Sequence, residues 1–182
     1  SVSGPILNKV KGAKKPIAFI EDAAGHPSRL GEYIAGLREI LKRNGAEASI
    51  YGHAGDGNLH VMVVLDLKKN EDVARMVRIA GESSDLVLRL KGTISGEHGD
   101  GLLRTAYVPK QYPPLYSAFK ELKKLFDPKG ILNPGRIVGS DPNLTSKNLK
   151  YGGDYRHVPT ASVFDVEAIS SEVEACHGCG KC

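Results

Sequence analysis

The chain has 182 residues, which is enough for one domain with its own hydrophobic core. With 41% hydrophobic and 25% charged residues, its composition is that of an ordinary soluble globular protein. The net charge is +4, but the basic residues are spread among acidic ones and there is no aromatic-rich surface, so nucleic-acid binding is not expected. No apolar run approaches the roughly 18 residues of a membrane span, and we therefore expect no transmembrane segment.

Hydrophobic periodicity predicts strands and helices in the order strand, helix, strand, strand, helix, strand, followed by a last helix. The predicted elements are a strand over 16–22, a helix over 28–43, strands over 48–51 and 59–67, a helix over 71–90, a short strand over 93–95 and a helix from 113 to about 126. In the first helix, Leu30, Ile34 and Leu37 recur at three- and four-residue spacing, and Ser28 is a suitable N-cap. This order is that of the split βαβ, ferredoxin-like arrangement. We therefore predict an α+β fold in which an antiparallel sheet carries helices on one face.

The segments outside these elements divide the chain further. Residues 1–15 are polar and basic, and we interpret them as the end of an upstream segment. We assign residues 1–139 to the domain and 140–172, which are polar with glycine and proline, to an extended linker. Residues 173–182 contain all three cysteines and are interpreted as the start of a further module.

Two glycine-rich segments, forty residues apart, contain three of the six histidines. The segments are 52–60 and 92–101. His53 and His60 flank a tight turn, and Glu97 or His98 can supply a third ligand. Two imidazoles and a carboxylate with an open position form a common catalytic site for Zn²⁺ or Mn²⁺. His98 would then serve as a general base, since the pKa of histidine lies near neutral pH. The alternative is that these histidines only form hydrogen bonds in turns.

Three motifs resemble the C-terminal domain of FAD-linked oxidases of the vanillyl-alcohol-oxidase type. They are GHAGDGNLH at 52–60, GTISGEHG at 92–99 and DPKGILNPG at 127–135. The resemblance covers about residues 16–139, and the motifs occur in the order that the family shows. This family includes glycolate oxidase subunits, D-lactate dehydrogenases and D-2-hydroxyglutarate dehydrogenases.

The resemblance implies a role for the domain within a larger protein. FAD would be held mainly by a separate N-terminal domain, and the present domain would be a cap over the reactive face of the flavin. It would form the side of the site that receives a small D-2-hydroxy acid. The flavin carries the redox chemistry, and the protein supplies orientation and charge.

The resemblance also implies roles for individual residues. His53, His60 and Glu97 would bind the divalent metal, and His98 would take the hydroxyl proton of the substrate. Two asparagines would lie near the flavin or the substrate, Asn58 and Asn133. Met62 stands where the hydroxyglutarate and lactate members often have asparagine, so one polar contact to the substrate is missing.

The cysteines lie at the end of the chain as Cys176, Cys179 and Cys182. This spacing is the first three-quarters of the bacterial ferredoxin run and predicts ligands of a 4Fe-4S cluster, with a zinc knuckle as the alternative. The fourth ligand would come from a downstream iron–sulfur module of the same protein. Cysteines confined to such a cluster indicate a reducing compartment, so we expect the cytoplasm, with membrane association only through an electron-transfer partner.

These expectations combine into one functional hypothesis with two rivals. The hypothesis is a fragment of an FAD-dependent, iron–sulfur-containing 2-hydroxy-acid dehydrogenase, inactive without the FAD-holding domain. One rival is a stand-alone ferredoxin-like module that binds metal or has a structural role. The other is a metallohydrolase that uses His53, His60 and Glu97 to activate water.

Overall fold

The computed structural model describes residues 12–139 and 141–156, together with 169, 170 and 173. The strands are β1 (Lys15–Ile17), β2 (Ala23–Ala24), β3 (Ala48–His53) and β4 (Asn58–Leu65). The helices are α1 (Leu30–Arg43), α2 (Asn70–Arg89), α3 (Gly101–Arg104), α4 (Val108–Gln111), α5 (Tyr116–Phe126) and α6 (Leu144–Lys147). No helix in these ranges is long and apolar enough to cross a membrane.

Strand β4 is the centre of an antiparallel sheet. It pairs along one edge with β3, where Tyr51 lies opposite His60, and along the other edge with β1 and β2. The predicted strand at 93–95 is represented by a single antiparallel bridge between Thr93 and Ala24 of β2. Across the sheet, the order is therefore the segment at Thr93, then β1 and β2, then β4, then β3. In terms of the four predicted strands this is the order 4-1-3-2 of the ferredoxin-like arrangement, and the predicted α+β fold is confirmed.

The two faces of β4 differ because side chains alternate along a strand. Leu59, Val61, Val63 and Leu65 belong to the hydrophobic core, which α1 and α2 complete. On the other face, the strand carries Asn58, His60 and Met62. The open side of the sheet therefore displays polar groups at the start of β4, directly after the first glycine-rich turn.

The first and last predicted strands, over 16–22 and 93–95, are shorter in the structure than expected. The first is interrupted between β1 and β2, where Asp22 adopts a φ of 85°. The strand predicted over 93–95 is reduced to the one bridge at Thr93. The amide of Ile94 donates to the side chain of Gln111 at 2.9 Å, and the amide of Gly96 donates to the carbonyl of Asp22 at 2.7 Å, so this segment stays beside the first strand without a regular ladder.

The helices α1, α2 and α5 lie within a few residues of their predicted bounds. The segment between 101 and 111, for which no element was predicted, forms α3 and α4. Within the predicted linker, residues 141–156 pack on the domain. Thr145 of α6 is 3% exposed and donates to the carbonyl of Leu103 at 3.0 Å. Residues 157–168 and the cysteines lie outside the described residues.

The turn between β3 and β4 needs glycine at position 57 and tolerates a side chain at position 55. Gly57 has a φ of 65°, in the left-handed region, and a methyl group there would overlap the carbonyl oxygen of Gly25. At Gly55, a methyl group would meet no atom within 4 Å. The turn is thus seated against Gly25 through Gly57.

We expect the Gly57→Ala variant to lower the free energy of unfolding by about 2 kcal/mol or more, because it combines backbone strain with steric overlap. The matched Gly55→Ala variant should change it by no more than about 0.5 kcal/mol. Urea denaturation followed by circular dichroism measures both values. Equal effects of the two variants would contradict this description of the turn.

Candidate functional site

Three segments meet at the open face of the sheet beside the start of β4. The connection from β1 to β2 contributes Glu21 and Asp22, and the turn from β3 to β4 contributes His53 and His60. The segment that follows Thr93 brings Glu97 and His98. The structure thus places four of the residues selected from the sequence next to one another.

Asp22 is the anchor of this meeting point. Its side chain is fully buried, and its carboxylate accepts hydrogen bonds from the Ser95 hydroxyl at 2.6 Å and from the Asn58 amide at 3.0 Å. The backbone amides of Gly96, Glu97 and His98 donate to the same carboxylate at 3.0, 3.0 and 2.8 Å. One side chain therefore sets the conformation of the whole turn from 95 to 98.

The ionisation of Asp22 follows from these contacts. Burial by itself would raise the pKa of the Asp22 carboxyl, but the hydrogen bonds from Ser95, His98, Glu97 and Asn58 together hold it below its usual value. The carboxylate therefore stays charged at neutral pH and remains an acceptor for every donor around it.

Glu97 is the point at which the imidazoles converge. Its Oε1 lies 3.1 Å from His60 Nε2, 3.3 Å from His98 Nε2 and 3.6 Å from His53 Nε2. His60 is buried at 6% exposure, whereas the side chains of His53 and Glu97 are about half exposed. The cluster therefore opens to the surface on the side of Glu97.

Glu21 holds two of the imidazoles from behind. Its carboxylate lies 3.0 Å from His60 Nδ1 and 3.0 Å from His98 Nδ1. When Nδ1 of each ring donates to Glu21, the Nε2 atoms carry lone pairs that face Glu97. A carboxylate behind a histidine is the usual support of a metal-binding imidazole.

Arg104 completes this support from α3. It is 8% exposed, its guanidinium lies 3.4 Å from the Glu21 carboxylate, and it donates to the Gly99 carbonyl at 2.9 Å. It also donates to the backbone carbonyl of Glu21. Neither Glu21 nor Arg104 was selected from the sequence. The available signal was an acidic pair, Glu21 and Asp22, directly after a buried apolar strand.

The donors fit a divalent cation in kind and in spacing. Two ligands of one tetrahedral Zn²⁺ ion, each about 2.0–2.1 Å from it, lie about 3.3 Å apart. The distances from Glu97 Oε1 to the three Nε2 atoms are of this size. Asp22, His60, Glu97 and His98 each offer an atom within 4.8 Å of the others. This group includes Asp22, whose oxygens already accept from five donors, and leaves out His53. The assignment of His53, His60 and Glu97 as metal ligands stays a prediction.

The charges of the cluster also favour a cation. Glu21, Asp22 and Glu97 contribute three carboxylates, against the single buried guanidinium of Arg104. Partial burial would lower the pKa of His98, but its hydrogen bond to Glu21 and the charges of Glu21, Asp22 and Glu97 raise it. This site therefore stabilises positive charge, whether on an imidazole or on a bound metal ion.

The other residues selected from the sequence lie in different places. Asn58 is 4% exposed, with its amide on Asp22, and its Oδ1 is buried without a partner among the described residues. Asn133 lines an open hollow of about 500 Å³, together with Gly99 and Asp100. Met62 is 9% exposed and lies two residues beyond His60 on the same face of β4. The contacts of Asn58 and Asn133 with flavin or substrate stay predictions.

Comparison with known proteins defines the class of this domain. A family model described as "FAD linked oxidases, C-terminal domain" matches residues 1–137. The chain therefore belongs to this family, and the resemblance inferred from the three motifs is confirmed.

Individual relatives are similar over much of the chain. The D-2-hydroxyglutarate dehydrogenase of Pseudomonas putida is 40% identical over 143 residues, which are 77% of this chain and 14% of that protein. That of Pantoea ananatis is 37% identical over 182 residues, 97% of this chain and 17% of that protein. Glycolate oxidase subunit GlcD of Bacillus subtilis is 34% identical over 128 residues, 70% of this chain and 27% of the subunit. The chain thus spans only a small part of these relatives.

We expect the Asp22→Asn variant to lower the free energy of unfolding by about 2–4 kcal/mol, because an amide group would turn one acceptor into a donor that faces other donors. Asp85→Asn is the matched control, since Asp85 forms an exposed ion pair with Lys110 whose loss costs about 1 kcal/mol or less. Urea denaturation at neutral pH gives both numbers. A small loss in Asp22→Asn, comparable to that of the control, would show that the turn does not depend on this carboxylate.

Proposed function

We propose that this chain is the substrate-side domain of an FAD-dependent oxidoreductase that oxidises a small D-2-hydroxy acid. The observation that carries the proposal is the convergence of three imidazoles on Glu97 Oε1, with Glu21 behind two of them. Membership in the family of FAD-linked oxidases and similarity to hydroxyglutarate dehydrogenases and a glycolate oxidase subunit support it.

In this proposal, His53, His60 and Glu97 hold one divalent cation, Zn²⁺ or Mn²⁺. Imidazole and carboxylate ligands suit both metals. When bound, such an ion supplies Lewis-acid chemistry, which lowers the pKa of a substrate hydroxyl and orients a neighbouring carboxylate. The half-exposed side of Glu97 leaves room for the substrate next to these residues.

His98 acts as the general base. His98 Nε2 faces Glu97 Oε1, the oxygen that the proposed ligands His53 and His60 also face. A substrate hydroxyl bound next to this oxygen therefore lies within reach of His98. Glu21 accepts from Nδ1, which leaves Nε2 free to take the proton. The charge of Glu21 then stabilises the imidazolium that results, as the aspartate does in a serine-protease triad.

Asn58 and Asn133 orient the substrate or the flavin in the assembled protein. The hydrogen bond from the Asn58 side-chain amide to Asp22 fixes the orientation of the Asn58 side chain, and with it the position of its unpartnered Oδ1. Asn133 lines the same hollow as Gly99 and Asp100, the two residues that follow the proposed base His98 in the sequence. FAD itself, which accepts the hydride when bound, is held mainly by an N-terminal part of the protein, and the 182-residue chain is inactive without it.

Cys176, Cys179 and Cys182 would supply ligands to a 4Fe-4S cluster, which would provide one-electron transfer away from the flavin. The Cys-x-x-Cys-x-x-Cys spacing supports this assignment. The match to the Pantoea protein covers 97% of the chain, so it continues beyond residue 137 toward these cysteines. The domain boundaries remain part of the proposal: 1–139 for the cap, 140–172 for the connection, of which 141–156 pack on the cap, and 173–182 for the start of the cluster module.

The metal assignment predicts a graded series of variants. In the full-length protein, purified without oxygen, we expect His53→Ala, His60→Ala and Glu97→Gln to lose the bound metal, since each removes a ligand. Glu21→Gln keeps all three ligands but removes the carboxylate that supports the His60 ring, so the affinity should fall about 10–100-fold. Elemental analysis after dialysis against a competing chelator measures both effects.

Glu39→Gln on the exposed side of α1 is the matched control and should keep the metal. Stoichiometric metal in Glu97→Gln and His53→Ala would refute the ligand set. If the wild-type protein contains no metal and still oxidises its substrate, catalysis at this site depends on His98 and hydrogen bonds without a metal ion.

For the base assignment, we expect His98→Ala in the full-length protein to slow flavin reduction about 10²–10⁴-fold, which is the usual contribution of a general base. FAD should stay bound, because His98 is expected to act on the substrate. Anaerobic stopped-flow absorbance of the flavin gives the rate, and His26→Ala, which removes an exposed histidine that pairs with Ser28, is the control. An unchanged rate in His98→Ala would disprove the assignment.

A further inference from the structure

The segment 93–95 leads directly into the turn that carries the proposed base, and in the described part of the chain its backbone pairs with the sheet on one side only. Thr93 exchanges two backbone hydrogen bonds with Ala24, at 2.7 and 3.0 Å. Because successive amides of an extended segment point in opposite directions, the N–H of Ile94 points away from the sheet. Such an amide needs another acceptor when it is shielded from water.

The side chain of Gln111 supplies this acceptor from the end of α4. Its Oε1 accepts from the amide of Ile94 at 2.9 Å, and its Nε2 donates to the hydroxyls of Thr93 and Tyr112 at 2.9 and 2.6 Å. These partners determine the orientation of the side-chain amide, since a backbone N–H can only donate and must face the oxygen. One side chain thus takes the place of a neighbouring strand at this edge.

Hydrogen bonds continue from Gln111 to Asp22, whose carboxylate holds the amides of residues 96–98. Because Gln111 Nε2 donates to Thr93 Oγ1, that hydroxyl directs its own proton to the carbonyl of Ser95, at 2.9 Å. The Ser95 hydroxyl in turn donates to Asp22 at 2.6 Å. The segment is therefore held at its beginning by Gln111 and at its end by Asp22.

The network around Gln111 lies where water has little access. Ile94 is 5% exposed and belongs to the hydrophobic core, and Thr93 and Gln111 are both partly buried. A shielded amide that loses its acceptor costs more free energy than the hydrogen bond itself contributes. We therefore expect the backbone of the segment to shift when the Gln111 side-chain amide is removed.

We propose that Gln111 is a positioning residue for the candidate site, which acts through residues 93–95 on the placement of His98. This inference rests on the proposed function, in which His98 takes the substrate proton. The three hydrogen bonds of the Gln111 side chain do not include His98, so the effect reaches the imidazole through the backbone. A displacement of about 1 Å at a reacting group can cost about 100-fold in rate.

Anaerobic stopped-flow absorbance of the full-length, FAD-loaded Gln111→Met variant tests this role. The substrate is whichever of D-2-hydroxyglutarate, D-lactate and glycolate reduces the wild-type flavin. At saturating substrate, we expect the rate constant of flavin reduction to fall about 10–100-fold while the amplitude of the absorbance change is retained. The matched control is Lys110→Met, which removes an exposed ion pair on the same helix and should change the rate constant by less than about twofold.

The amplitude distinguishes positioning from a purely structural role. If Gln111 only stabilised the fold, part of the variant would be unfolded, so the amplitude would fall and the rate constant would equal that of the wild type. That result would overturn the proposal, and so would a variant in which neither quantity changes.

A double-mutant cycle tests whether the effect passes through Thr93. Thr93→Val removes the hydroxyl at nearly constant volume and should also slow flavin reduction. Because both substitutions interrupt one path, the double variant should be no more than about twofold slower than the slower single variant. Effects that multiply would show independent action and would overturn the path through Thr93.

Hydrogen–deuterium exchange separates this inference from the proposed function. In Gln111→Met, the amides of residues 94–98 should exchange about tenfold faster, because the segment loses an acceptor and the turn loses its support. Lys110→Met should leave their exchange unchanged. Faster exchange in Gln111→Met, combined with a wild-type flavin that no hydroxy acid reduces, would contradict the proposed function alone. Unchanged exchange in Gln111→Met, with a wild-type protein that is active, would contradict the positioning role alone.

Discussion

A buried carboxylate joins the sheet to the turn that carries Glu97 and His98. Asp22 has no solvent exposure and gathers five donors, three of them consecutive backbone amides. Because those amides belong to residues 96–98, the position of the carboxylate fixes where the Glu97 and His98 side chains begin. The interruption between β1 and β2, with its positive φ at Asp22, is the backbone feature that turns this carboxylate toward the turn. The geometry of the candidate site is thus a consequence of how the first strand is broken.

Around this anchor, the site has two layers. Glu97 and the Nε2 atoms of three histidines form the inner layer, which is open to the surface, and Glu21 with Arg104 forms the outer layer, which is buried. The outer layer orients the imidazoles and adds negative charge, so the inner layer is prepared for a cation. The same arrangement suits proton transfer, since a carboxylate behind His98 favours its protonated form.

The sequence was informative where function depends on residues close together in the chain. His53 and His60 flank one short turn, so their proximity followed from spacing, and the glycine-rich context distinguished them from isolated histidines. Strand and helix order also gave the ferredoxin-like arrangement. By contrast, Glu21 and Arg104 act across 39 to 83 residues of chain, and no local pattern encodes such a pairing. The break at Asp22 was missed because the segment 16–22 has the composition of one continuous strand. The fold of residues 141–156 onto the domain was missed because glycine and polar residues also occur in linkers.

The most direct test of the account is an anaerobic titration of the full-length, FAD-loaded protein with D- and L-2-hydroxyglutarate, before and after treatment with a chelator. The account predicts that at least one of D-2-hydroxyglutarate, D-lactate and glycolate bleaches the flavin absorbance, that chelation abolishes the bleaching, and that Zn²⁺ or Mn²⁺ restores it. The L-enantiomer should have no effect, and D-lactate and glycolate serve as alternative substrates. Bleaching that is undiminished after complete removal of the metal would contradict the metal site at His53, His60 and Glu97. A flavin that none of the hydroxy acids reduces would contradict the proposed reaction itself.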